Sequence, residues 1–156
     1  MKILLKLLTI IFFIKDIYLS YQSQNYAELK KIIGSHTDDI ESLAVLPNGY
    51  FASASLDRTI KIWNPNDGSS IRTLTGHTNL VLSLAVLPNG NLASGSWDKT
   101  IKIWNQEDGS LIRTLDANTY FVVSLTALSN GHLASGSYDD SIKIWNPNDG
   151  SLIKTL

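Results

Sequence analysis

Residues 75–115 read TGHTNLVLSLAVLPNGNLASGSWDKTIKIWNQEDGSLIRTL. Short apolar runs alternate here with turn signals. Residues 81–87 stop at Pro88-Asn89-Gly90, 92–96 at Asp98-Lys99, and 100–104 at the polar run 105–109, while 110–115 close the stretch. Runs of this length rich in Leu and β-branched residues, bounded by Gly, Pro, Asn and Asp, predict strands. Asn-Gly predicts a two-residue hairpin turn, because it supplies the positive φ angles such a turn needs. Ile101 and Ile103 fall on one face of their strand and Lys102 and Trp104 on the other, since side chains alternate along a strand. Four strands and three tight turns predict one antiparallel sheet. A sheet of this size cannot bury both faces alone, so it must stack on neighbours like itself.

Those neighbours are in the chain. Trp63, Trp104 and Trp145 are spaced by 41 residues, as are Asp57, Asp98 and Asp139, and the turns Asn48-Gly49, Asn89-Gly90 and Asn130-Gly131. The units are 34–74, 75–115 and 116–156; 21 of 41 positions agree in all three, with no insertion, so the phase of the repeat is certain. The marker residues are Gly76-His77, LASGS at 92–96, Asp98 and TIKIW at 100–104. In these the chain resembles the WD-repeat (WD-40) family over residues 34–156. One departure recurs in every unit: the Asp of the naming Trp-Asp pair is Asn64, Asn105 or Asn146, which can still serve the turn. The resemblance implies an all-β fold, an open segment of a β-propeller made of three four-stranded blades.

Composition narrows the function. The chain has 156 residues, 44% apolar and 17% charged, with 13 Lys and Arg against 14 Asp and Glu. A formal net charge of −1 gives no basic field for a nucleic-acid backbone, so no nucleic-acid partner is expected. Without cysteine there is no disulfide framework, thiolate nucleophile or cysteine zinc site. Three histidines at these spacings suggest no metal site, and no cofactor is expected. Lys61, Lys102 and Lys143 form one basic series and Arg72, Arg113 and Lys154 another; the acidic turns beside them make a solvated face the expected reading.

The resemblance also implies a hydrogen-bond network in each blade, joining a His before the first strand, a Ser on the second, an Asp in the next turn and a Trp on the third. The sets are His36, Ser53, Asp57, Trp63 and His77, Ser94, Asp98, Trp104. Ser, His and Asp together look like a triad. A catalytic site, however, needs one asymmetric pocket with an oxyanion stabiliser, whereas this set recurs from unit to unit. The structural reading is therefore preferred, and catalysis is not expected. In the third unit Ala117-Asn118 replaces Gly76-His77, beside Ser135, Asp139 and Trp145. That network is expected to be incomplete and its blade the least stable.

Positions that differ between near-identical units are where each blade can present its own surface. Leu56, Trp97 and Tyr138 precede the turn Asp, and the loops before the first strands carry Asp38, Asn79, Tyr120 and Phe121. The resemblance implies that these positions lie on the rim where partner proteins dock. Trp and Tyr are favoured interface anchors, although variation at unconstrained turns would look the same. The implied function is a non-catalytic protein–protein interaction scaffold or adaptor. The alternative is a secreted or membrane-anchored propeller binding a carbohydrate or small molecule.

The first residues differ in character. Lys2 and Lys6 precede the apolar run 7–14, too short for a membrane span and similar to a signal peptide with a poor cleavage site. Residues 1–25 read as a signal or anchor, as a cap over a blade face, or as an artefact of the predicted gene start, which leaves membrane association open. Residues 28–33, ELKKII, align with the end of a unit, so 26–33 read as an orphan outer strand. A cytoplasmic location is expected, with secretion or anchoring through residues 1–20 as the alternative. Closed propellers have four to eight blades. Three suggest a fragment or truncated member of a longer propeller, two copies joined into one ring, or a capped face.

Overall fold

The computed structural model describes residues 35–116 and 120–156. The apolar N-terminal segment, the expected orphan strand and Asn118 lie outside the described residues. Three four-stranded antiparallel sheets follow one another along the chain. The first is β1 (Ile40–Val45), β2 (Phe51–Ser55), β3 (Ile60–Trp63) and β4 (Ser70–Leu74). The second is β5 (Val81–Val86), β6 (Leu92–Ser96), β7 (Thr100–Trp104) and β8 (Leu111–Asp116). The third is β9 (Val122–Ala127), β10 (Leu133–Ser137), β11 (Ile142–Trp145) and β12 (Leu152–Thr155). Within each sheet the strands lie in sequence order, as tight turns between antiparallel strands require. Among the described residues there is no helix, and the sheets do not close a ring.

The turns correct one expectation. At Asn48-Gly49 the Gly49 N–H donates to the Leu46 carbonyl (3.0 Å) and the Leu46 N–H to the Tyr50 carbonyl (2.8 Å). The loop is thus three residues, Pro47-Asn48-Gly49, and of the Asn-Gly pair only Gly49 has positive φ (85°). The glycine takes the left-handed position, so the two-residue turn gives way to the next commonest hairpin, and Ser129-Asn130-Gly131 does the same without a proline. The turn before β3 has the same form, but there Arg58, Lys99 and Asp140 hold positive φ without being glycine (69°, 71° and 64°).

Sheets stack side by side, β1 next to β5 and β5 next to β9, and two apolar cores form between them. In the first core Ile60, Ile62 and Leu74 of the first sheet meet Val81, Leu84 and Trp104 of the second. In the second core Ile101, Ile103 and Leu115 meet Val122, Leu133 and Trp145. The two cores are built from the same repeat positions shifted by one unit. Each isoleucine buried to this degree contributes about 1.5–3 kcal/mol. The middle sheet is covered on both faces. This is why Lys102 is buried (9% exposed), contrary to the solvated face expected for its series. Its ammonium is satisfied by donating to Thr114 Oγ1 (2.9 Å). At the outer edges Arg72 donates to the Glu107 carbonyl (2.9 Å) and Arg113 to the Asn148 carbonyl (3.0 Å), each tying its sheet to the next.

Candidate functional site: a polar relay beneath an aromatic rim

Register places the polar residues. Ser53 pairs with Lys61, Ser94 with Lys102 and Ser135 with Lys143, so each serine sits at the same height on its second strand. In the middle sheet Trp104 Nε1–H donates to Ser94 Oγ (2.8 Å), which lies 2.7 Å from His77 Nε2, and His77 Nδ1 lies 2.7 Å from Asp98 Oδ2. An indole can only donate and a carboxylate can only accept. The neutral imidazole that fits carries its proton on Nδ1, donates it to Asp98 and accepts the serine proton at Nε2. The first sheet repeats the chain: Trp63 to Ser53 (2.7 Å), Ser53 to His36 (2.6 Å), His36 to Asp57 (2.8 Å). In the third sheet Trp145 donates to Ser135 Oγ (2.9 Å) and Asp139 accepts from Ser141. The histidine's place there belongs to Asn118, outside the described residues.

The carboxylates are held further than the His–Asp pairing alone would hold them. Thr100 Oγ1–H and the Thr78 N–H also donate to Asp98 (2.6 and 3.0 Å), and Thr59 and Thr37 do the same for Asp57 (2.6 and 3.1 Å). Burial on its own would raise the Asp57 carboxyl, but the hydrogen bonds from Thr59, His36 and the Thr37 amide outweigh it and lower it from 3.8 to about 2. Asp98 is treated the same way: burial raises it, while His77 and Thr100 bring it well below the usual carboxylate range. Asp139 is lowered chiefly by the Ser141 hydroxyl. The sequence reading did not single out Thr59, Thr100 or Ser141. Their signal is plain in retrospect: a hydroxyl residue stands two places after the turn Asp in every unit, the spacing of an Asx turn.

Above this relay lies the rim. The Trp97 amide donates to the Leu80 carbonyl (3.0 Å), Leu56 to Asp39 (2.9 Å) and Tyr138 to Phe121 (3.3 Å). Each pre-turn residue is thereby fixed beside the loop that leads into its own first strand. Across the seam between the second and third sheets Trp97 stacks on Phe121, with centroids 4.7 Å apart and planes 16° apart. Tyr120 and Tyr138 meet Phe121 at 5.2 and 6.3 Å. Tyr120 and Tyr138 are half or more exposed. Four of the seven rim candidates thus form one cluster. Leu56, Asp38 and Asn79 stand outside it, and Asn79 turns its side chain back to cap the Leu80 amide (2.9 Å).

Four-stranded sheets stacked side by side in a fixed repeat, each tied by a Trp–Ser–His–Asp relay where its histidine is present, are blades of a β-propeller. The chain belongs to the WD-repeat family: it matches the family described as WD domain, G-beta repeat, in three copies at residues 27–64, 68–105 and 109–146. Among solved structures it is similar to the WD40 β-propeller domain of Doa1, at 31% identity with a TM-score of 0.72, covering 78% of this chain and 42% of that one. It is also similar to U3-55K, at 30% identity with a TM-score of 0.74, covering 81% of this chain and 41% of that one. No curated protein matches the chain. The chain spans about two fifths of the length of either structure. WD40 propellers generally serve as scaffolds that bind other proteins.

Proposed function

We propose that this chain is a non-catalytic docking module for another protein, with the aromatic seam on its rim as the centre of the contact, within a ring that needs further blades. The observation that carries this reading is the Trp97–Phe121–Tyr120–Tyr138 cluster. The neighbouring seam has Leu56, Leu80, Asn79 and Trp97 at the same repeat positions, so the scaffold does not require aromatics at three of these four places. Large exposed rings concentrated in one place are the composition of an interface centre. The relay supports a structural role beneath the rim. Ser53, Ser94 and Ser135 are 2% exposed or less, and each hydroxyl accepts an indole N–H, so no substrate carbonyl could reach it.

The test is immobilised wild-type chain against Tyr138→Ala, Tyr120→Ala and His132→Ala, with bound proteins quantified by mass spectrometry. Circular dichroism serves as the check on folding. A protein retained by the wild type and by His132→Ala, in the hairpin turn after β9, but lost from both tyrosine variants is expected. A bound set that is the same for all four refutes the rim assignment.

A further inference from the structure

We propose that the two outer faces of this three-blade array are complementary to each other, and that a second copy of the chain closes a six-bladed ring. This goes beyond the rim reading and does not depend on it. Both internal seams show what each face packs against. Toward the preceding blade the second sheet presents Val81, Leu84, Val86, Leu92 and Trp104, all lining the first core. One unit earlier those positions are Ile40, Leu43, Val45, Phe51 and Trp63. They form the outer face of the first sheet, where Leu43 and Val45 are 56% and 78% exposed. Toward the following blade the second sheet presents Ile101, Ile103 and Leu115, lining the second core. One unit later those are Ile142, Ile144 and Leu156, and Ile142 and Leu156 are 48% and 61% exposed.

Among the described residues the chain therefore carries, unpaired, one face of each kind that it pairs at its two internal seams. Glycine agrees with this at the second seam, while the first seam accommodates Ala54 at the same position. A methyl group at Gly95 would lie 2.6 Å from Val122 of the next blade, whereas one at the equivalent Gly136 would meet only Ser124 of its own sheet, at 3.7 Å. The polar ties continue the pattern. Ser42 Oγ accepts the Leu84 amide across the first seam (3.1 Å), a tie that Ser83 Oγ does not repeat at the second, and the matching pair for a closing seam is Ser124 of one copy with Leu43 of the other. Arg72 and Arg113 each reach the next blade's turn, and Lys154 is the third of that series, with the Asn66 carbonyl of a second copy as the equivalent acceptor. Closed propellers have four to eight blades. With the three described blades from each copy, two copies fall in that range, and they give a two-fold ring rather than an open filament.

The experiment is light scattering after size exclusion on the full 156-residue chain. A particle of about 34 kDa is expected, twice the 17.2 kDa of the chain. Val45→Glu and Ile142→Glu replace exposed side chains on opposite faces, and each alone should yield monomer, because every closing seam uses both faces. The chain has no cysteine. The double variant Leu43→Cys with Ser124→Cys should therefore oxidise to a covalent dimer and nothing larger. A wild-type monomer, a dimer that survives Ile142→Glu, or a ladder of cross-linked species would each overturn the proposal.

Discussion

Replacing Ser94 by Ala tests the relay at its hub. The substitution removes one oxygen and disturbs little volume, yet that oxygen accepts from Trp104 and sits against His77 Nε2. Trp104 is 2% exposed and His77 is buried, so water cannot replace the lost partner. Leaving a buried polar group unsatisfied costs about 1–3 kcal/mol. Two such groups give an expected loss of about 2–6 kcal/mol. Ser53→Ala removes the same atom one blade earlier; in the Ile142→Glu background, where the closing seam is broken, Trp63 lies on an open face and is only partly buried. Solvent reaches its indole, and the expected loss is about half as large. Trp104→Phe orphans no donor and falls below Ser94→Ala in its polar cost. The readout is amide hydrogen exchange of β6 and β7 for Ser94→Ala and of β2 and β3 for Ser53→Ala, which reports each blade separately. Acceleration of roughly 30-fold or more is expected in the middle blade, since about 1.4 kcal/mol is tenfold. Unchanged protection there, or an equal loss in the first blade, would refute the claim that burial makes the hub costly.

Three further outcomes follow from the same geometry. Asp57 has its carboxyl lowered from 3.8 to about 2, so its contribution of about 2 kcal/mol is complete above the unfolded value and is lost as pH falls from about 4 to 2. The urea-midpoint gap between wild type and Asp57→Asn should close over that window; a gap unchanged at pH 2 contradicts the assignment. In the Ile142→Glu background, where no second copy covers the third sheet, Gly95→Ala should destabilise by about 1–3 kcal/mol by overpacking against Val122, while Gly136→Ala is tolerated, as paired denaturation curves would record. Lys99 holds φ 71° at an exposed turn, so Lys99→Gly should raise the thermal midpoint, by up to about 1 kcal/mol of stability.

The fold was legible because three in-register copies leave little freedom. Asn-Gly and Asp turns separated by short β-rich runs mark strands, and 41 residues hold four of them. The turn form was not legible, because Asn-Gly suits both hairpin types. Proline does not decide it either, since Ser129-Asn130-Gly131 makes the same three-residue turn as Pro47-Asn48-Gly49. The burial of Lys102 was missed for a different reason. Period-two alternation assigns faces, but whether both faces are covered depends on a blade's place in the array, and Lys61, Lys102 and Lys143 are the same residue in three environments. The rim cluster shows the converse. Trp97 and Phe121 lie 24 positions apart and in different units, so no periodicity joins them; the seam between blades brings them to 4.7 Å. Repetition in this chain specifies the scaffold, and recognition resides in the few positions, such as 97, 120, 121 and 138, where the copies part.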